Sequence, residues 1–412
     1  MSLRNSPTPS ALVGSLVVAV GCFLDPSSAF GVPLYSIVDL GTTSPTHTTS
    51  QGFAASPGGV GVGRSVGSNV STAFSWTRQL GITPLAPLAG RAHAVANGAN
   101  DSGLVVGTAS TTLFGSSPLP VSWSSGVATQ LPLPAGQTLG RANDVNAQGF
   151  VVGSLNSGNN EVGVVWDADA TPSIITATTP GGAVMRTAFQ INDSGLVCGF
   201  GIDPSNLARN VGVLYDIANG TMSEVPPLAG QNGAIAFGIS NTGFVVGASS
   251  LNQANGLPFI WSAGTGSVAI PLPQGTTQGS ARGVNAAGWV VGTASGAFAV
   301  PFLFDGRTTY RVQDLIPAGT GWDLSTNTSS AALGISDNGI IIGTGVLRGA
   351  VRAYALVPCT ADFNRDGQAD FFDYLDFASA FAADGPEADV NSDGQVDFFD
   401  YLDFATAFDA GC

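Results

Sequence analysis

The sequence predicts a mainly β protein: a seven-bladed β-propeller of repeats about 46 residues long, followed by a small α-helical module built around two acidic loops. Three observations lead there. One glycine-bracketed phrase returns seven times, each return is followed by an aromatic strand and then a Pro/Leu strand, and the last 54 residues carry two copies of an acidic cassette.

The phrase reads "SPGGVGVGR" (56–64), "NDSGLVVGT" (100–108), "NAQGFVVGS" (146–154), "NDSGLVCGF" (192–200), "SNTGFVVGA" (240–248), "NAAGWVVGT" (285–293) and "SDNGIIIGT" (336–344). Asn or Asp ahead of Gly is what a tight hairpin turn requires, so Asn100, Asp101, Asn192, Asp193, Asp337 and Asn338 are expected to be turn residues rather than cation ligands. The aromatic strand appears as "AFSW" (73–76), "PVSW" (120–123), "GVVW" (163–166), "GVLY" (212–215), "PFIW" (258–261), "PFLF" (301–304) and "AYAL" (353–356). Because Trp76, Trp123, Trp166 and Trp261 recur at one position of the repeat, packing explains them better than sugar stacking. Segments such as "ITPLAPLAG" (82–90) supply a fourth strand, and "YSIVDLG" (35–41) is its first copy. The chain thus opens on a strand type that elsewhere follows the aromatic strand, and its β part ends on an aromatic strand. Pairing first with last closes the ring and removes exposed sheet edges. An open β-solenoid, which needs no such closure, is the rival architecture.

This spelling resembles the HAF-repeat family of bacterial extracellular proteins, whose units join "GINxxGxVVG" to an "AFxW"-like strand. The likeness is carried by "VNAQGFVVGS", "ISNTGFVVGA" and "TAFSW" and runs over residues 35–358; the His-Ala-Phe tripeptide itself is absent, Thr72-Ala73-Phe74 standing nearest. The resemblance implies fold and secretion rather than an activity.

The N-terminus agrees with export. A basic "MSLRN" precedes an apolar run from Ala11 to Leu24, and Ser27 and Ala29 sit where a signal peptidase reads small residues, giving a signal peptide over residues 1–29. The apolar run is too short to span a bilayer. Lipidation at Cys22, after "AVG", is the alternative.

Charge is concentrated at the other end. Of the net −15, residues 359–412 hold 12 Asp, one Glu and one Arg, or −12, leaving −3 for the rest. All 13 basic residues are Arg, and such a balance makes nucleic acid an unsuitable partner. His47 and His93 lie far apart, no G-x-S-x-G is present, and no carboxylate pair is marked by context, so no catalytic constellation is visible.

In "ADFNRDGQADFFDYLDF", Asp362, Asn364, Asp366, Gln368, Asp370 and Asp373 take positions 1, 3, 5, 7, 9 and 12 of an EF-hand-type loop, with Gly367 at position 6 for the sharp turn. Asp389, Asn391, Asp393, Gln395, Asp397 and Asp400 repeat the pattern, so two Ca2+ ions are expected. Cys198, in "GLVCGF", reads as a small buried hydrophobe. Cys359 and Cys412 bracket the acidic tail, either as a bridge clasping its ends or as a free pair.

Asp rather than Glu at position 12, the duplication and the C-terminal location resemble a type I dockerin, covering residues 359–412, with helices expected over 371–381 and 398–408. That resemblance implies anchoring to a cohesin-like partner read by loop positions 10 and 11. Here those are Phe371, Phe372, Phe398 and Phe399, where small polar residues are usual, and some of them are expected in the core because so small a module has little else to bury. The resulting organisation is a signal peptide (1–29), a propeller (30–358) and a dockerin-like calcium module (359–412). The expected role is a secreted, non-catalytic binding platform for a glycan or protein ligand with an anchoring tail. The alternatives are a polysaccharide-active hydrolase or lyase delivered by that tail, and a purely structural calcium-binding protein.

Overall fold

The computed structural model describes residues 34–410 apart from 114, 158–159, 252–253 and 391–394. The signal segment 1–29, Cys22, Asn391, Asp393 and Cys412 lie outside the described residues.

The body is a succession of antiparallel four-stranded meanders. The first comprises Thr49–Ala55, Gly61–Val66, Ser71–Thr77 and Gly81–Pro84, and the second His93–Ala99, Val105–Ser110, Leu119–Ser124 and Val127–Gln130. A single parallel bridge, Ser71 to His93, joins these two. Further meanders span 139–174, 185–225, 233–269 and 278–311. The last sheet contains Ala331–Ile335, Ile341–Leu347 and Ala350–Pro358, and its outer strand is Tyr35–Asp39 from the beginning of the chain, paired Tyr35 to Pro358 through Asp39 to Tyr354. This is the pairing expected of a chain that opens on one strand type and returns to the aromatic type.

The first strand of each meander packs beside the first strand of the next, and Ala331–Ile335 packs against Thr49–Ala55, so the contacts run round a closed circle in a propeller-like manner. Between meanders sit separate apolar cores. Trp123 and Trp166 are fully buried in two of them, each indole N–H donating 2.7 Å to a backbone carbonyl that follows the preceding meander's outer strand, Ala86 and Pro132 respectively. A large apolar ring whose one polar atom finds a partner is a packing element, as the repeat position implied.

The Pro/Leu strands are shorter than the sequence suggests. In "ITPLAPLAG" only Gly81–Pro84 remains in the sheet, because successive prolines remove the N–H groups a ladder needs. In the meander ending at Arg311 the chain turns directly into a 3-10 helix, Val312–Leu315. Cys198 is buried and carries a free thiol.

The tail contributes two helices, α1 (Phe371–Ala382) and α2 (Phe398–Ala410). Their seam is aromatic: Phe377 and Phe404 stack with ring centroids 4.0 Å apart, and Phe363 meets both edge-on. The expectation that loop-end phenylalanines fill this core is corrected. Phe371, Phe372, Phe398 and Phe399 are each 64% exposed, since the first two residues of each helix face away from the seam and the seventh and eleventh of α1, Phe377 and Phe381, face into it.

Candidate functional site

Both acidic loops lead straight into helix N-termini. In the first, Asp370 caps α1, accepting from the Phe372 N–H at 2.8 Å, and Asp373 answers by accepting from the Asp370 N–H at 2.8 Å, a reciprocal capping box. The second oxygen of Asp373 reaches back across the loop to the Asn364 N–H at 2.9 Å. Asn364 accepts from Asp366 N–H and Asp366 from Gln368 N–H, both at 2.9 Å, while Asp362 accepts from Gly367 N–H at 3.2 Å. Gly367 has φ 87°, the left-handed conformation that position 6 requires. The loop therefore curls with its short oxygen-bearing side chains on the inside.

Asp373 and Asp400 are fully buried and Asp362 nearly so. Burial raises the Asp362 carboxyl above the usual carboxylate range, and the neighbouring Asp373 and Asp366 push the same way. The sole basic residue of the tail, Arg365, lies over the Trp289 ring at 5.0 Å, and no ion pair reaches Asp362 or Asp373 among the described residues. Buried carboxylates without a cationic side chain are costly unless a metal supplies the charge. All donors are hard oxygens, with no thiol or imidazole among them, which fits Ca2+. Asp362, Asn364, Asp366, the Gln368 carbonyl, Asp370 and Asp373 would hold one ion; in the second loop Asp389, the Gln395 carbonyl, Asp397 and Asp400 belong to the corresponding set, and Asp397 and Asp400 repeat the capping geometry with an Asp397 N–H to Asp400 bond of 2.8 Å. Bound there, the ion would neutralise the loop and lock the helix starts. Among the described residues no three His, Cys, Asp or Glu side chains are already gathered as closely as an ion would draw them.

A second polar site lies at the turns of the body. Gly103 and Gly149 both stand at φ 84°, so the Asn-x-x-Gly phrases are turns as expected. Their Asn residues do more. Asn100 donates through Nδ2 to the Asn146 carbonyl (2.9 Å), Asn146 to that of Asn192 (3.2 Å), Asn192 to that of Ser240 (3.0 Å) and Asn285 to that of Ser336 (3.2 Å). Asp101 accepts from the Gly58 N–H, Asp193 from Ala147 and Asp337 from Ala286, and the Asp337 N–H in turn donates to the Pro57 carbonyl. With the Thr242 hydroxyl donating to the Ala286 carbonyl at 2.9 Å, every meander is stitched to the next.

These turns enclose a cavity of about 60 Å3 lined from all the meanders, with Asp101, Asp144, Asp193 and Asp337 around it. Burial pushes the Asp144 carboxyl up to about 7, with the Asp193 charge adding to the effect, and burial likewise raises Asp337. Asp144 nonetheless accepts from the Ile191 N–H at 3.1 Å. Sequence reasoning identified the turns and missed the stitching and Asp144. The visible signal was the constant spacing of Asn100, Asn146 and Asn192, which a turn role alone does not demand.

No protein-family model matches the chain, and no curated protein matches it in sequence. Solved structures similar to it include a virginiamycin B lyase from Staphylococcus aureus (TM-score 0.49, 11% identity, covering 78% of this chain and 99% of that one). Others are a streptogramin B lyase (TM-score 0.47, 12% identity, 78% and 98%) and YCF48 bound to D1 peptide (TM-score 0.47, 12% identity, 79% and 99%). Among the described residues no helix is long and apolar enough to cross a membrane.

Proposed function

We propose that the chain is an exported, non-catalytic protein whose body is a closed seven-bladed propeller serving as a binding platform, and whose dockerin-like tail, loaded with two Ca2+ ions and clasped by a Cys359–Cys412 bridge, anchors it to a cohesin-like or other partner. The observation that carries this reading is the first acidic loop: two buried carboxylates, Asp362 and Asp373, and the half-buried Asp366 share one curled stretch of chain, and among the described residues no ion pair balances them. The closed circle of strand contacts supports the ring. The exposed pairs Phe371-Phe372 and Phe398-Phe399 occupy equivalent places on the two helices, where a partner would read the module. The anchoring surface is therefore apolar, unlike the polar positions of the resemblance.

Calorimetric titration of the full chain tests it. The expected result is two calcium equivalents, reduced to one by Asp373→Ala, and mass spectrometry without reductant is expected to find the bridge. Absence of calcium heat would overturn the tail assignment.

The polysaccharide-active alternative draws on Asp144, whose carboxyl, raised to about 7, has the protonation a general acid needs. Two facts weigh against it. The cavity of about 60 Å3 is well below the few hundred Å3 of ordinary ligand sites, and the carboxylates around it are engaged with backbone N–H groups of neighbouring meanders.

A further inference from the structure

We infer that the body carries, at the end of its sheets away from the Asn-Gly turns, a binding site for a small hydroxylated carboxylate of uronic-acid size. The inference rests on the platform reading and names its ligand.

The site is a cavity of about 300 Å3 where the first three meanders meet, lined in part by Arg64, His93, Asn97, Thr108, Ser110 and Arg141. In a chain of net charge −15, no carboxylate among the described residues lines it. Arg64 reaches it from the strand Gly61–Val66. Its Nε–H donates to the Gln51 side-chain oxygen at 2.8 Å, its guanidinium lies 5.9 Å from the Phe53 ring centroid, and burial lowers its pKa. None of these partners is anionic. Arg141, on Leu139–Val145, is exposed and makes no hydrogen bond or ion pair among the described residues. Two guanidinium groups from different meanders thus face one space without a counter-charge.

His93 adds an independent sign. Its residue is 8% exposed, and its Nδ1 is buried with no hydrogen-bond partner. A buried polar atom left unpaired is costly, so such atoms persist where something else completes them. The hydroxyls of Thr108 and Ser110 are already donors or acceptors within the protein, to Asn97 and to the Thr112 carbonyl, and stand fixed at the wall. Fixed hydroxyls beside two planar guanidinium forks suit a ligand with a carboxylate at one end and hydroxyls along its body. The volume, at the lower bound of small-molecule sites, admits one such ring and exceeds what a bare oxyanion fills. The converging residues come from sequence positions 64, 93 and 141, so no local motif announces them.

Calorimetry on the full chain in calcium, with glucuronate, glucose and inorganic phosphate as separate titrants, tests the inference. Glucuronate is expected to bind, glucose not to bind at about 10 mM, and phosphate to bind at least about tenfold more weakly than glucuronate. Arg141→Gln, a change at an exposed position, is expected to weaken glucuronate at least about tenfold with an unchanged melting temperature. Arg64→Lys, which keeps the charge and loses the fork, is expected to weaken it too. Silence from glucuronate, preference for phosphate, or indifference to Arg141→Gln would each overturn the inference. Glucose binding as tightly as glucuronate would overturn the anionic ligand while leaving the platform reading intact, and the calcium titration reports on the tail separately.

Discussion

Replacing Asn192 separates what holds a turn from what holds two meanders together. The residue is 3% exposed and its amide makes two kinds of bond. Inside its turn, Oδ1 accepts from the Leu196 N–H at 2.9 Å and from the Ser194 hydroxyl at 2.8 Å; across to the next meander, Nδ2 donates to the Ser240 carbonyl at 3.0 Å. That carbonyl retains a second donor, the Gly243 N–H at 3.0 Å, so losing Asn192 costs about 0.5–1.5 kcal/mol there. The Leu196 N–H has no such reserve, and stranding it costs about 1–3 kcal/mol. Asn192→Ala is therefore expected to lose about 2–4 kcal/mol. Asn192→Ser is expected to lose only about 1 kcal/mol, because the protein already uses Ser at this position: Ser240 accepts from Phe244 N–H at 3.1 Å and Ser336 from Ile340 N–H at 2.8 Å. Urea denaturation of the full chain in calcium, with slopes compared, measures both. If the two variants are equally destabilised the division is wrong, and if both lie within about 0.5 kcal/mol of the parent the stitching does not stabilise the ring.

Two tyrosines of the closing sheet are expected to respond in opposite directions to losing their hydroxyls. Tyr35 is buried with an unpaired hydroxyl, so Tyr35→Phe should be neutral or stabilising by about 1 kcal/mol, whereas the Tyr354 hydroxyl donates to the Ala331 carbonyl at 3.0 Å and Tyr354→Phe should cost about 1 kcal/mol; melting temperatures decide. For Asp144 the folded carboxyl titrates at about 7 against an ordinary 3.8, so the folded state holds the extra proton and stability falls as pH rises through that window. Asp144→Asn should flatten this loss when melting is compared at about pH 4.5 and about pH 8, and an unchanged difference would refute the assignment. Chelation of calcium should lower the helical signal of α1 and α2 and the stability of the full chain, as expected when metal binding is coupled to folding, and Asp373→Ala should reproduce part of that change by circular dichroism.

The strand grammar was legible because each strand type repeats a local requirement: Gly149 where the backbone turns left-handed, Trp166 where a core must be filled, an opening strand of the type that follows the aromatic one. The turn and helix start of the first acidic loop were legible for the same reason, the placing of Gly367 and of the Asp370–Asp373 capping pair being a property of a short stretch of chain. What stayed hidden depends on the stacking of separate repeats. Asn146 looks like any turn residue until its neighbour 46 positions along is placed beside it. Asp144 carries no sequence mark because its burial comes from the surrounding meanders, and its bond comes from Ile191. The loop-end phenylalanines misled for a different reason: the small size of the module placed some of Phe371, Phe372, Phe398 and Phe399 in the core, whereas the helical phase of Phe377 and Phe404 decides which face meets the partner helix.

The junction between body and tail sets how a tethered molecule would bear load. The tail leaves from Pro358, the end of Ala350–Pro358, a strand with a ladder on each side, Ile341–Leu347 on one and Tyr35–Asp39 on the other. Beside that exit the Cys359 N–H donates to the Leu34 carbonyl at 2.9 Å, and the Leu34 N–H donates to Asp362, the first carboxylate of the first acidic loop, at 3.3 Å. Under the proposed anchoring, tension arriving through the tail would meet an interior strand rather than a free edge, so drawing it out would mean breaking two ladders together. The residue preceding the closing strand is also held by a carboxylate of the first acidic loop, so under the proposed calcium binding, occupancy of that loop would become part of the mechanical latch of the ring.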